Sequence, residues 1–544
     1  MTRPRRQLPL AAAAVLLIAG CSAAPASPAD APARPPASGN PDTIVYGHQQ
    51  EPPCVYGGWV EQGYLSQQVL DNLVALDDNG EVVPWLAESW DVSPDGTTWT
   101  FTLRDGPTFS DGTPVDAPAV VANFEHWADG GNSTVQAWIG AYFTSAEVVD
   151  QRTAAVHLSA PYPRFAENVA QPYFGIQSAH ALATRTDEQN CAAPVGSGPF
   201  TVTDWIRGHN IVLDRRDDYR WGPANAEHTG PAHVQRVDWR FITDPTTRTA
   251  ALRSGEVDAI YDVQAFEWDD VEREGYELFH YVTGGRPQQI SFNTSRGPFT
   301  DERVRKAFSY ALDRESVVDS VGKGVIPYEG NGPVSRSTPG YSPAAAERYR
   351  QDRPRAAALL DDAGWRRGPD GVRYRDGQPL RVTFPYAVNR TLNQDGAAIV
   401  QALQRQAEDI GFRVELVPYP PSAATAGAYA GRDDYDLMIG YWTAYHAGIL
   451  HVNWRPDRPD DPNPANSAFY ADPELEKLVL QANSEPDPDR QEALYQRAQQ
   501  IIADRALSIG VYTRLSTLAV APGLDGIRQE RSQGGPLFYD AHFD

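Results

Sequence analysis

The stretch from residue 84 to residue 127, PWLAESWDVSPDGTTWTFTLRDGPTFSDGTPVDAPAVVANFEHW, constrains the fold more than any other part of the chain. Residues 91–97 gather Asp, Pro and Gly, the side chains that reverse a backbone at low cost. In residues 98–103, Trp99, Phe101 and Leu103 alternate with threonines, the period-two signature of a strand with one buried face. A second turn cluster leads to a helix. Asp116 can accept from the first free N–H groups, and Pro118 sits where a missing N–H costs nothing. Val120, Phe124 and Trp127 then recur at i, i+4 and i+7, one apolar face. The unit is a small α/β scaffold without a catalytic constellation.

The order of its pieces resembles the family-5 solute-binding proteins of ABC importers, extracytoplasmic receptors for peptides, nickel and related solutes. The residues that carry the likeness are Pro84, Leu86-Ala87-Glu88-Ser89-Trp90, Asp95-Gly96, Leu103-Arg104-Asp105-Gly106, Phe109, Asp111-Gly112 and Pro114. Further on, Pro194-Val195-Gly196-Ser197-Gly198-Pro199-Phe200 resembles the family's glycine signature, with Ser197 replacing its usual threonine. Trp205, Gly208, Leu213, Arg215 and Tyr219 continue it. The segments ALRSGEVDA (251–259), Ala311-Leu312-Asp313-Arg314 and the helix near 355–364 match later family wording in the same order.

The N-terminus reads as an export signal. Arg3, Arg5 and Arg6 precede an apolar run at 8–18, too short to span a bilayer, which ends in Ile18-Ala19-Gly20-Cys21. That ending matches a lipoprotein lipobox, implying acylation of Cys21 after removal of residues 1–20. Residues 21–41, rich in Pro, Ala and Ser, read as a tether. The net charge of −24 argues against nucleic acid and anionic membrane as binding partners. Outside the cytoplasm, the two remaining cysteines, Cys54 and Cys191, are expected to form a disulfide.

Several elements follow from periodicity and caps: a strand at 42–47, a helix at 62–74 with Leu65, Val69 and Leu73 inward, and a β-α-β unit across 237–261. That unit has Asp244-Pro245 opening its helix and Gly255 closing it, and implies a parallel crossover. Asp301, Asp472 and Asp487 are expected to open later helices, and 289–292, 414–417, 436–442 and 508–512 to be strands.

The resemblance implies an α/β, two-lobed periplasmic-binding-protein-like fold of type II (cluster C), with an extra small α/β domain. Its expected divisions are 42–75 with 195–285 and 510–544 for domain I, 76–194 for the extra domain, and 286–509 for the second lobe. The hinge is expected near 284–293 and 505–513. A solute buried between lobes needs apolar walls and a few placed polar groups. The expected ligand-binding residues are Gln62, Tyr64, Asn293, Tyr441, Trp442, Thr443, Tyr445, His446 and Tyr512. Peptide-binding relatives carry an aspartate three residues after the tryptophan of Trp442-Thr443-Ala444-Tyr445; here Tyr445 stands there. A hydroxyl brings no charge for a peptide ammonium, so stacking and neutral hydrogen bonds are expected to dominate. Restoring the carboxylate, Tyr445→Asp, is expected to raise affinity for short peptides or abolish native binding.

The expected partners are a small solute, the permease subunits and, through the lipid, the membrane; the protein is expected to be a monomer without a cofactor or resident metal. A nickel or metal-chelate receptor is the alternative, since His446 and His451 lie near the family's metal-binding segment, though their spacing shares no helical face. A secreted hydrolase is a further alternative. The sequence holds no HExxH, GxSxG or local Cys–His pairing to support it.

Overall fold

The computed structural model describes residues 34–544, apart from Trp59, Asp460, Asp461 and Gln533. Cys21, the signal segment and most of the tether lie outside the described residues. One half of the molecule is organised on a seven-stranded mixed sheet. The strand Thr43–His48 is central in it and runs parallel to both Arg236–Phe241 and Ala259–Tyr261, which flank it. The expected crossover is therefore present, with the first strand of the chain inserted between its two arms. Its helix, Pro245–Ser254, begins where Asp244 accepts from Thr247 N, and stops at Gly255, which takes the left-handed φ of 79° that costs glycine nothing.

The stretch at 84–127 folds as its periodicity demands. Thr98–Leu103 is a strand whose Trp99, Phe101 and Leu103 are buried. Each such side chain contributes about 1.5–3 kcal/mol on burial. It lies inside a four-stranded antiparallel sheet with Ala87–Val92, Thr153–Leu158 and Phe143–Asp150. The helix Ala117–His126 packs Val120 and Phe124 against that sheet, with Asp116 accepting from Ala119 N.

One expected element is different. Residues 62–74 do not form a continuous helix: a 3₁₀ turn at Val60–Tyr64 is followed by a short helix, Ser66–Val69, and the chain is then extended. Leu65, Val69 and Leu73 are buried as expected, but so are Ser66, Gln68, Asp71 and Asn72. With both faces enclosed, tertiary bonds override the helical period. Asn72 Nδ2 donates to the carbonyls of Val169 and Gln171, which holds the extended backbone in place. The glycine signature is explained here too. Gly196 and Gly198 run so close to Val69 that a Cβ on Gly196 would lie 2.0 Å from its carbonyl oxygen. Gly198 N donates to that same oxygen at 2.9 Å. The signature is thus a close approach of two backbones.

The second half is built on a three-stranded sheet with Gly285–Phe292 in the middle and Leu437–Thr443 and Ser508–Tyr512 antiparallel on either side. Arg381–Ala387 and Arg413–Tyr419 form a parallel pair beside it, joined by the helix Gln394–Asp409. The helices Glu302–Ala311, Pro473–Ser484 and Pro488–Asp504 start at Asp301, Asp472 and Asp487, each of which accepts from the first turn. The chain leaves the seven-stranded sheet after Glu277–Val282 and enters the three-stranded one at Gly285. It returns between Tyr512 and Leu515. The two passages run side by side, with Thr283 N donating to the Arg514 carbonyl.

A disulfide joins Cys54 to Cys191, closing a loop of 137 positions around the four-stranded sheet. Among the described residues no helix is long and apolar enough to cross a membrane.

Candidate functional site

The two halves meet over the passages. Asn393 Nδ2, at the start of a second-half helix, donates to Asp262 Oδ1 of the first half at 3.1 Å. Ala265 N donates to Asp395 Oδ2 at 3.2 Å. Beneath these contacts lies Arg514, just beyond the strand Ser508–Tyr512. Its guanidinium donates to the Tyr64 hydroxyl at 2.7 Å and the Tyr441 hydroxyl at 2.5 Å, and lies over both rings. Tyr261 and Gln49 complete its surroundings. A single cation thus ties the first half to the strand Leu437–Thr443.

Next to this junction is a cavity of about 820 Å³. One wall is the helix Ser133–Ile139, presenting Ser133, Thr134 and Gln136; the other is Trp442 with His451, Asn463 and Ala465 of the second half. Arg390 contributes both here and to a smaller pocket at the junction, whose lining includes Gln288, Tyr441 and Tyr512. A concave volume between two halves joined by adjacent strands suits a ligand that enters when the halves part and is covered when they close. Among the described residues no group of three or more His, Cys, Asp or Glu side chains is placed to hold a metal ion.

Residues 81–448 match the model of the bacterial extracellular solute-binding proteins, family 5. The chain belongs to that family. It is 27% identical over 473 residues to the nickel-binding periplasmic protein of Escherichia coli K12, covering 83% of this chain and 84% of that one. It is also 27% identical over 475 residues to the probable D,D-dipeptide-binding periplasmic protein of the same strain, covering 85% and 86%. The periplasmic binding protein AgaA of A. tumefaciens R10, solved in complex with agropinic acid, superposes with a TM-score of 0.78 at 26% identity, over 92% of this chain and 99% of that one. The fold is thus the α/β periplasmic-binding-protein fold, and the chain is an extracytoplasmic solute-binding receptor of an ABC importer, not an enzyme.

The expected site residues of this family-5 protein separate into two groups. Trp442 walls the cavity, Tyr441 and Tyr512 line the junction pocket, and Tyr64 holds Arg514. Gln62 lies nearby but is turned inward, accepting from Gly58 N at 2.7 Å. Thr443 is buried, paired through its backbone with Gly285. Tyr445, His446 and Asn293 lie elsewhere. The strand ends at Thr443, so the alternation that brings Trp442 to the cavity does not extend to Tyr445. The Tyr445 hydroxyl instead donates to Glu530 Oε1 at 2.6 Å. Burial, and then Glu530, push that phenol well above the usual tyrosine range. His446 is enclosed between Asn168 Oδ1 and Gly448 N, and burial lowers its pKa to about 3, the state of a neutral structural imidazole. Asn293 donates to the carbonyls of Arg432 and Tyr435 and fixes the start of the strand Leu437–Thr443.

Two arginines at the strand ends were not among the expected residues: Arg514, which lines the junction pocket, and Arg286, which lies opposite Trp442. Their signal in the sequence is slight. Each is a lone cation next to an apolar or amide-rich strand, in GGRPQQISF and SIGVYTR. Pairing of Gly285–Phe292 with Leu437–Thr443 sets Arg286 opposite Trp442, and the passage after Tyr512 brings Arg514 among the tyrosines of the junction.

Proposed function

We propose that this receptor closes its two lobes over a small organic solute, peptide-like or otherwise carbon-based, and hands it to a membrane permease. The observation that carries the reading is the cavity of about 820 Å³ between the helix Ser133–Ile139 and Trp442, beside the paired passages. Its size suits a solute of a few residues or the equivalent, and Trp442 offers a stacking face. The proposed contacts are Trp442, Tyr441, Tyr512 and, through Arg514, Tyr64. The relatives described above are named for nickel and for a D,D-dipeptide, and AgaA was solved with agropinic acid. An organic acid or peptide is favoured here over a metal, which would depend on a chelator for its ligands. The division into domain I (42–75, 195–285, 510–544), extra domain (76–194) and second lobe (286–509) belongs to the same reading, with the two passages as the hinge. The protein acts as a monomer, tethered by residues 21–41 to an acylated Cys21.

Thermal unfolding against a solute library tests the reading. A true solute at a hundred times its Kd raises stability by about 2.7 kcal/mol and is recovered unchanged. A compound consumed during the assay would instead indicate a hydrolase. The anchor is tested by Cys21→Ala, which should leave a folded protein that no longer sediments with membranes after a salt wash.

A further inference from the structure

The face of the three-stranded sheet beside Trp442 brings three enclosed donors together. Arg286 Nε, Gln289 Nε2 and Trp442 Nε1 are all enclosed and meet no acceptor. The strand register places them together: Arg286 is opposite Trp442 and Gln289 opposite Gly440, with a bulge between 286 and 289 that restores the facing. Gly440 is the gap between them, where a Cβ would lie 3.0 Å from Arg286 Nη2. Gln289 Oε1 accepts from Ser508 Oγ, which leaves Nε2 as the end of the amide without a partner.

Two buried arginines of this protein show what a structural role looks like. Arg248 donates to the carbonyls of Tyr261, Ile242 and Asp262 at 2.6–2.8 Å. Arg305 is wrapped in the same way by Phe299, Arg505 and Ala506. Arg286 has one long bond, Nη2 to the Tyr441 carbonyl at 3.5 Å. The titratable group that acts on it is the Tyr435 phenol, which is itself donating to Ser467 O. Burial lowers its pKa to about 10, still fully cationic at neutral pH. Arg286 is half-buried, with its Nε enclosed and no counter-charge beside it among the described residues, and a partly desolvated cation of this kind favours an anionic partner. Buried polar atoms in native proteins are almost always paired. Three unpaired donors on one face, one of them charged, call for a partner that only accepts, and a carboxylate is such a group.

We propose that Arg286 is a specificity-determining residue of the solute site, taking a carboxylate of the solute over Gly440 with the Trp442 indole N–H as second donor. The inference rests on the receptor reading above and narrows it to solutes that carry an acid group. Gln289, further along the same strand as Arg286, supports the same oxygen, and the 820 Å³ cavity walled by Trp442 holds the remainder of the solute.

The test is calorimetric titration of the full mature chain with four probes: citrate, N-acetyl-dialanine, dialanine and dialanine amide. At least one carboxylate-bearing probe should bind, and dialanine amide should not. Arg286→Gln should weaken the acid probe at least tenfold, and Arg286→Lys should recover part of the loss. Without probe, Arg286→Met should melt at the same temperature or higher, because it removes a half-buried charge that has no counter-charge; a structural arginine would give a clear drop. The proposal is overturned if dialanine amide binds as well as the acids, or if Arg286→Gln changes acid binding less than twofold, and in either case the receptor reading survives. It is also overturned if no acid probe binds at millimolar concentration. Native mass spectrometry then decides the receptor reading separately: a co-purified solute keeps it, and an empty protein that no library member stabilises removes it.

Discussion

The Tyr445 hydroxyl donates to Glu530 Oε1 at 2.6 Å, and Glu530 also accepts from the backbone and hydroxyl of Ser532. This carboxylate takes up the hydroxyl that the motif would offer to a solute. Tyr445→Phe should leave solute binding within twofold and lower stability by about 1–3 kcal/mol, the cost of leaving a buried charged acceptor short of one donor. Tyr445→Asp would set a second carboxylate against Glu530. It should destabilise by about 3 kcal/mol or more without creating a peptide site, contrary to the expectation from the motif. Urea denaturation together with calorimetry separates the two effects. A gain in peptide affinity for Tyr445→Asp would return the residue to the site.

Trp442 forms the wall of the cavity, and its ring offers a stacking face as well as an N–H. Trp442→Ala should reduce solute affinity at least tenfold, and Trp442→Phe should restore the stacking share of that loss but not the hydrogen-bonded share. Parallel titrations of both variants, with melting curves to confirm folding, provide the comparison. Equal affinity in Trp442→Ala would move the solute to the smaller junction pocket.

The Cys54–Cys191 bridge ties the backbone before the four-stranded sheet to the helix Asp187–Ala192 after it. For a loop of 137 positions the chain-entropy model assigns up to about 5 kcal/mol. The double variant Cys54→Ser, Cys191→Ser should therefore unfold at lower denaturant by an amount up to that figure, while wild type under reducing conditions should match it. Non-reducing peptide mapping that recovers both as free thiols would remove the basis for this expectation.

Asp71 is fully buried beneath the extended stretch after Ser66–Val69, accepting from Tyr219 Oη at 3.3 Å and Trp221 Nε1 at 2.9 Å. Burial raises its pKa to about 7 despite these donors. Between about pH 4, where an unfolded aspartate titrates, and pH 7, the folded protein holds a proton that the unfolded chain has lost. This group therefore makes stability fall as pH rises through that window and contributes no further slope above it. His446, with its pKa lowered to about 3 by burial, acts in the opposite sense, since the unfolded chain takes up its proton below about 6.5. Asp71→Asn should remove the falling component, so that the variant gains on wild type between pH 4 and 7. Urea midpoints at four pH values, for wild type and variant, measure it; parallel curves would show that Asp71 is ionised in the fold.

Local signals were sufficient for much of this protein. The alternation of Trp99, Phe101 and Leu103, the caps at Asp116, Asp244, Asp301, Asp472 and Asp487, and the close of a helix at Gly255 depend on side chains within one turn or one strand. The order of motifs along the chain then implied the family and the two-lobed fold, and Trp442 and Tyr441 could be placed near the site on the strength of one segment. What lay beyond the sequence depends on where a strand stops and what lies across from it. Trp442 reaches the cavity and Tyr445 does not because the strand ends at Thr443 and the chain then turns toward Glu530, a contact across 85 residues. Residues 62–74 carry a helical period but are buried on every side, so tertiary hydrogen bonds from Asn72 determine their backbone. Arg286 and Arg514 are lone cations in the sequence. They acquire meaning when antiparallel pairing sets Arg286 over Gly440 and the passage between Tyr512 and Leu515 sets Arg514 among three tyrosines. Secondary structure follows from neighbours in the chain, whereas the chemistry of the site follows from register between strands more than a hundred residues apart, which no local pattern encodes.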